Sequence, residues 1–174
     1  MAALGLVTGS SGNVSLKLGE LILITPSGVP YGDLRPAQVV AIDLAGRPVS
    51  GRGIPSSEWR MHAAIYRARG DVRAIVHTHS PYATAASFGK GLPVVHDEGA
   101  LLFGEAIPVS EHFPPGTWGL AEAVAEALGT GNVALIAHHG AVAVGKTLRE
   151  ALGLAVKLEE AALLRSLRGG GPTS

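Results

Sequence analysis

Asn13-Val14-Ser15-Leu16-Lys17-Leu18-Gly19-Glu20-Leu21-Ile22-Leu23-Ile24-Thr25 is the stretch whose reading decides the fold. Val14, Leu16 and Leu18 alternate with polar neighbours, the period of two that marks a strand with one buried face. Leu21 to Thr25 is a second apolar run. Gly19 and Glu20 between them read as the turn of an antiparallel hairpin.

Outward from this hairpin, Val39 to Leu44 and the segment around Val49 form another pair, separated by Ala45-Gly46-Arg47-Pro48. From Glu58 the period changes. Trp59, Ala63, Tyr66 and the residues between predict a helix ending near Gly70, capped by Ser56 or Ser57. Val72 to His79 reads as a buried strand, and Pro81 to Phe88 as a helix with proline in its first turn. A short strand follows at Ile107 to Val109, an amphipathic helix at Thr117 to Leu128, and an apolar strand at Val133 to Ala137. Thr147 to Leu167 predicts a long helix with Leu148, Leu152, Ala155, Leu158 and Ala162 on one face. Strands first, then strands mixed with helices, point to an α/β or α+β sandwich with a mostly antiparallel central sheet.

The 174 residues suit one domain with a real core. Residues 1–168 are expected to form it, and the glycine-rich residues 169–174 to be a disordered tail. Fourteen basic residues balance fourteen acidic ones, so no broad basic surface is expected for nucleic acid. Hydrophobic residues make up 47%, which excludes a chain disordered throughout. No apolar run approaches the roughly 20 residues of a membrane span. The start, MAALGLVTGSSG, lacks a basic region and the apolar length of a secretory signal. A cytoplasmic location is expected. With no cysteine, a catalytic metal would have to be held by His, Asp or Glu.

The histidines carry the chemistry. His77 and His79 stand two apart in a strand, so their imidazoles share a face and form half of a metal site. His138 and His139 end the second apolar strand before Gly140, and only one of the two can join that face. A third imidazole and a carboxylate would complete a nitrogen-and-oxygen site suited to zinc or a similar ion. Glu58, in Pro55-Ser56-Ser57-Glu58, opens a predicted helix. Its negative charge suits the helix dipole there, and it would also serve proton transfer beside a metal. His62, four residues on, falls on the same helix face, as a further ligand or as a packed, hydrogen-bonded ring.

Thr8-Gly9-Ser10-Ser11-Gly12-Asn13 and Pro26-Ser27-Gly28 are loops of small hydroxyl residues and glycine. Such loops let backbone N–H groups approach a phosphate closely. With Ser56 and Ser57 at a helix start, they offer three hydroxyl clusters to one small anion. There is no Walker A lysine and no dinucleotide-binding glycine pattern after a strand.

Taken in order, Gly12-Asn13-Val14-Ser15, Ile24-Thr25-Pro26-Ser27-Gly28, Ser56-Ser57-Glu58, His77-Thr78-His79-Ser80 and His138-His139-Gly140 resemble the class II aldolase/adducin family typified by the L-fuculose 1-phosphate aldolases. The resemblance runs from about Gly5 to Leu164 and implies that family's α/β sandwich. It implies His77, His79 and His139 as metal ligands, with Glu58 both at the metal and as the acid/base. It implies a phosphate pocket of Ser10, Asn13, Ser27, Gly28, Ser56 and Ser57. One divalent ion, zinc in the first place or manganese, and a homotetramer with sites between neighbouring subunits complete the expectation.

The sequence departs from that pattern in three places. The helix that opens the family is largely missing before Gly5. No tyrosine follows Tyr82, although the aldolases bring one from the C-terminal tail. After His96, where the fuculose phosphate aldolase has a tyrosine, this chain reads Asp97-Glu98, which suggests Asp97 as an acid/base group supplied to an adjacent subunit.

The expected reaction is reversible cleavage of a ketose 1-phosphate, through an enediolate, to dihydroxyacetone phosphate and an aldehyde. Alternatives on the same scaffold are a ribulose-5-phosphate-type 4-epimerase and a methylthioribulose-1-phosphate dehydratase. The epimerase has aspartate where this chain has Glu58. An adducin-head-like interaction domain would lack the ligands that are present here. A metal hydrolase is disfavoured by the missing HExxH pattern.

Overall fold

The opening hairpin forms where the alternation places it. β1 (Asn13–Leu18) pairs antiparallel with β2 (Leu21–Ile24), with Ser15 opposite Ile24 and Leu18 opposite Leu21. Gly19 turns the chain at φ 58°, a left-handed backbone that costs glycine little. The computed structural model describes residues 1–168, so the expected tail lies outside the described residues.

After the hairpin come β3 (Val40–Asp43), β4 (Pro48–Ser50), α1 (Trp59–Ala68), β5 (Ala74–Thr78) and α2 (Pro81–Ala86). Then follow β6 (Gly91–Pro93), α3 (Asp97–Phe103), β7 (Ala106–Pro108), α4 (Trp118–Leu128), β8 (Val133–Ile136), β9 (Gly140–Gly145) and α5 (Leu148–Arg168). Seven strands form one sheet in the order β4-β3-β2-β1-β5-β9-β8, and every ladder in it is antiparallel. β6 and β7 make a separate two-stranded sheet.

Strands β5, β8 and β9 of the sheet are buried on both faces. Ile22, Ile42, Ile75, Val142 and Val144 point to one side, where Met61, Ile65, Leu120 and Val124 of α1 and α4 cover them. Ala74, Val76, Ala141 and Ala143 point to the other, against Ala151, Ala155, Leu158 and Ala162 of α5. The small residues on that second face let the long helix pack closely. The architecture is thus α/β, with a central antiparallel sheet between helices. Among the described residues, no helix is long and apolar enough to cross a membrane.

Three elements go beyond the sequence reading: β6, α3 and β9. The first two are too short to show a period. β9 is a Gly-Ala-Val-Ala-Val-Gly run that fits a strand or a buried helix turn equally, and its two neighbours decide it. The cap of α1 is also corrected. Neither serine caps it: Glu58 holds the N-cap position, and Ser56 Oγ accepts from the Glu58 backbone N–H at 3.3 Å.

Candidate metal centre

β5 carries His77 at a fully buried position, and His79 follows just past its end. Its neighbour β9 begins at Gly140, directly after His139. The approach is close enough that a Cβ on Gly140 would strike the carbonyl oxygen of Thr78. The tight β8–β9 connection also separates the two adjacent histidines. His138 takes φ 58° and turns outward, where its ring meets Phe88 and His112 at 5.1 and 5.0 Å. His139 turns inward, its ring 4.7 Å from that of His79 and 5.0 Å from that of His77.

Glu58 arrives from the opposite side, at the head of α1. One ligand atom each of Glu58, His77, His79 and His139 lies within 4.8 Å of the others. His77 Nδ1 is 2.8 Å from the carbonyl oxygen of Ala141, which only accepts, so Nδ1 donates. In the neutral ring Nε2 then presents a lone pair. That Nε2 lies 2.9 Å from His79 Nε2 and 2.9 Å from Glu58 Oε2, while His139 Nε2 lies 3.3 Å from Glu58 Oε1. Glu58 Oε1 is buried and has no hydrogen-bond donor. Lone pairs facing one another in a buried site repel unless a cation lies among them, and three imidazoles with a carboxylate are a donor set for a divalent ion. The residues fit such an ion, and the Ala141 carbonyl orients one ring in the manner usual around metals.

Electrostatics follow the same geometry. Burial raises the Glu58 carboxyl, but the facing His77 and His139 rings and the Asn13 amide outweigh it and hold the group far below the usual range. Burial lowers His77, yet without an ion the Glu58 charge and a hydrogen bond from a protonated Nε2, with the Ala141 carbonyl, leave it raised; a bound cation would take that proton's place. Burial and the neighbouring rings push His79 down to about 4 and also lower His139.

A cleft of about 310 Å³ opens onto this cluster. Ser10, Asn13, Ser27, Gly28, Ser56 and Ser57 all line it, together with Glu58, His79 and His139. Backbone bonds hold the loops in place: Ser27 N–H donates to Ile54 and Ser56 N–H to Thr25. Asn13 differs from the rest, because its amide is engaged inside, donating to Glu58 Oε2 at 3.0 Å. Pro115 also lines the cleft, a residue with no chemical signature in the sequence to single it out. Asp97 is exposed on α3 and is not among the lining residues. His62 is not in the cleft either. It is fully buried behind Asn13. A larger apolar cavity of about 440 Å³ lies on the other face of the sheet, lined by residues such as Val14, Leu16, Leu23 and Leu152. It gathers none of the candidate ligands, so the smaller polar cleft is the site of interest.

Residues 1–165 match the profile of the family described as Class II Aldolase and Adducin N-terminal domain. A 5-methylthioribulose-1-phosphate/5-deoxyribulose-1-phosphate aldolase of Rhodospirillum rubrum is 42% identical over 163 residues, spanning 93% of this chain and 73% of that protein. An L-fuculose phosphate aldolase of Escherichia coli is 41% identical over 165 residues, spanning 94% of this chain and 76% of that protein. Among solved structures, an L-fuculose 1-phosphate aldolase superposes with a TM-score of 0.92 at 32% identity, covering 99% of this chain and 83% of that one. The chain belongs to the class II aldolase and adducin family and is an enzyme of its aldolase type, a lyase.

Proposed function

We propose that the enzyme reversibly cleaves a ketose 1-phosphate, of the L-fuculose 1-phosphate or 5-methylthioribulose 1-phosphate kind, to dihydroxyacetone phosphate and an aldehyde. The observation that carries this reading is the convergence of His77, His79, His139 and Glu58 at a cleft lined by hydroxyl-bearing loops. The three histidines would hold one divalent ion with Glu58 beside it, and the imidazole-rich set favours zinc, with manganese as the alternative. When bound, the ion supplies Lewis-acid charge to the oxygens of the substrate.

The chain's own residues do the rest. Ser10, Ser27, Ser56 and Ser57, with the backbone of Gly28, would bind the phosphate and fix the reacting carbons relative to Glu58. Glu58, ionised, would take the proton at the carbon next to the carbonyl in the condensation direction and return it in cleavage. Asp97 would act on a neighbouring subunit. It shares a face of α3 with Leu101, four residues on and 88% exposed, so a contact covering Leu101 would bring Asp97 into the same interface. This supports the homotetramer with sites between subunits. Residues 1–168 would form a single class II aldolase-like domain in each subunit. Phosphorylated sugars do not cross membranes unaided, which supports a cytoplasmic location.

Cleavage is favoured over dehydration because the relative named for methylthioribulose phosphate is itself named an aldolase. The test is to incubate the purified protein with L-fuculose 1-phosphate, 5-methylthioribulose 1-phosphate, 5-deoxyribulose 1-phosphate and ribulose 5-phosphate, with and without a chelator. Metal-dependent release of dihydroxyacetone phosphate is the expected result. Epimerised ribulose phosphate without cleavage, or cleavage indifferent to chelation, would overturn the reading.

A further inference from the structure

Behind the metal cluster runs a line of buried polar side chains that the reaction as described does not use. Glu58, His62 and Tyr66 follow one another at every fourth position along one stripe of α1. Asn13 and Ser15 stand two apart on the face of β1 that meets it. Four helical residues rise about 6 Å and two strand residues about 6.6 Å, so the two rows stay in step. The rungs interleave. Asn13 Nδ2 is 3.0 Å from Glu58 Oε2, Asn13 Oδ1 meets His62 Nε2, His62 Nδ1 is 2.6 Å from Ser15 Oγ, and Ser15 Oγ is 2.8 Å from Tyr66 OH.

We infer that His62 is a positioning residue: its Nε2–H fixes the Asn13 amide so that the NH₂ group pins Glu58 Oε2 and leaves Oε1 toward His139. The inference rests on the reading of Glu58 as the acid/base beside the metal. The two orientations of an asparagine amide have nearly the same shape, so only the groups at its ends choose between them. With NH₂ toward Glu58 the amide donates to a carboxylate. Turned over, it would set oxygen against oxygen. At its other end Oδ1 only accepts, so His62 Nε2 must carry the proton. Nδ1 then presents a lone pair and accepts from the Ser15 hydroxyl, which in turn accepts from Tyr66, whose hydroxyl lies 2.8 Å from Ser15 Oγ and a longer 3.3 Å from the Arg73 carbonyl oxygen. Each proton has one place, in the order Tyr66, Ser15, His62, Asn13, Glu58.

Burial makes the order strict. Asn13, Ser15, His62 and Tyr66 are all 3% exposed or less, so water does not substitute for a missing partner. Burial, aided by the His77 charge and opposed by that of Glu58, holds His62 neutral, at about 3. An apolar side chain would fill the same place without requiring five matched polar groups. The arrangement thus does more than pack.

The first test needs no activity. In full-length, metal-stripped protein labelled with ¹⁵N at histidine, ring ¹H–¹⁵N spectra are expected to show His62 as the neutral Nε2–H tautomer from about pH 8 to about pH 5, below the range where a free imidazole titrates. The Nδ1–H tautomer would overturn the inference. The second test compares His62→Leu with His62→Gln, whose amide N–H reaches toward Asn13 as the ring does. Titration with Co²⁺ alone is expected to show about 10–100-fold weaker binding for the leucine variant, as for loss of an outer-shell partner. The glutamine variant should recover most of that affinity. On a ketose 1-phosphate, kcat should follow Co²⁺ affinity while KM stays nearly unchanged. Equal Co²⁺ affinity in the two folded variants would overturn the inference. If the leucine variant fails to fold, the tautomer of the unaltered protein still decides it. A protein with the expected tautomer and Co²⁺ pattern but no cleavage supports the positioning role and refutes the aldolase reading instead.

Discussion

Asn13 stands directly opposite His77 in the antiparallel register of β1 and β5, and both side chains close on one carboxylate oxygen, Glu58 Oε2, at 3.0 and 2.9 Å. Strand pairing therefore sets the centre as much as the ligands do. A slip of one residue in this ladder would send both side chains to the opposite face.

The β5–β9 seam is expected to be equally intolerant. Gly140→Ala places a methyl group on the Thr78 carbonyl, a backbone atom that cannot move aside without parting the strands. The expected loss is about 1–3 kcal/mol of stability, as for overpacking elsewhere, with lower metal content as His139 shifts. Urea unfolding and metal analysis by mass spectrometry check both; an unchanged midpoint with full metal would show that the seam yields.

His79→Ala removes a proposed ligand whose ring is half-buried and whose main contacts are with the other two imidazoles. Metal affinity is expected to fall by more than about 100-fold, the upper end of what an outer-shell partner is worth. Full occupancy after purification would remove His79 from the ligand set.

Glu58→Gln preserves shape and the bond from Asn13 to one oxygen, but cannot take a proton. Exchange of the substrate C–H with solvent should slow by about 10²–10⁴-fold. Exchange at the normal rate in a metal-loaded variant would assign the base elsewhere.

Acid should destabilise the metal-free protein well before its carboxylates titrate. His62, His79 and His139 are lowered in the folded state, and His77 is raised. For a lowered histidine the stabilisation is complete above the ordinary value of 6.5 and is lost as pH falls toward the folded value. The unfolded chain takes up protons there that the folded chain refuses. His77 acts oppositely, its contribution being complete below 6.5 and lost as pH rises through its raised value. Three against one leaves a net loss on acidification. His62, fully buried and held neutral down to about 3, should account for much of that loss, on the order of 1 kcal/mol of stability per pH unit as pH falls below 6.5. Denaturant midpoints between pH 7 and about pH 5 measure it, and His62→Gln should flatten the slope. A slope untouched by that change would contradict the assignment.

Ser27→Asp puts a negative charge at the rim of the cleft beside Gly28. Like charges about 5 Å apart near a surface cost about 3 kcal/mol, so KM for a ketose phosphate should rise by about 100-fold. A KM within error of the parent would move the phosphate away from this loop.

Local rules reached far into this protein. Alternation from Val14 to Leu18 marked the first hairpin, and a period near four marked α1, α4 and α5. The two-residue step from His77 to His79 placed both rings on one side. These follow from backbone geometry that a few neighbouring residues impose on themselves, so they are written in short stretches of sequence. Other features needed the whole chain. The choice of His139 over His138 came from the tight turn into β9, a strand defined only by its partners β5 and β8. Asn13 turned its amide inward because Glu58 and His62 meet it there from 45 and 49 residues away. Such meetings depend on which distant strands pair and in what register, and no local pattern records that.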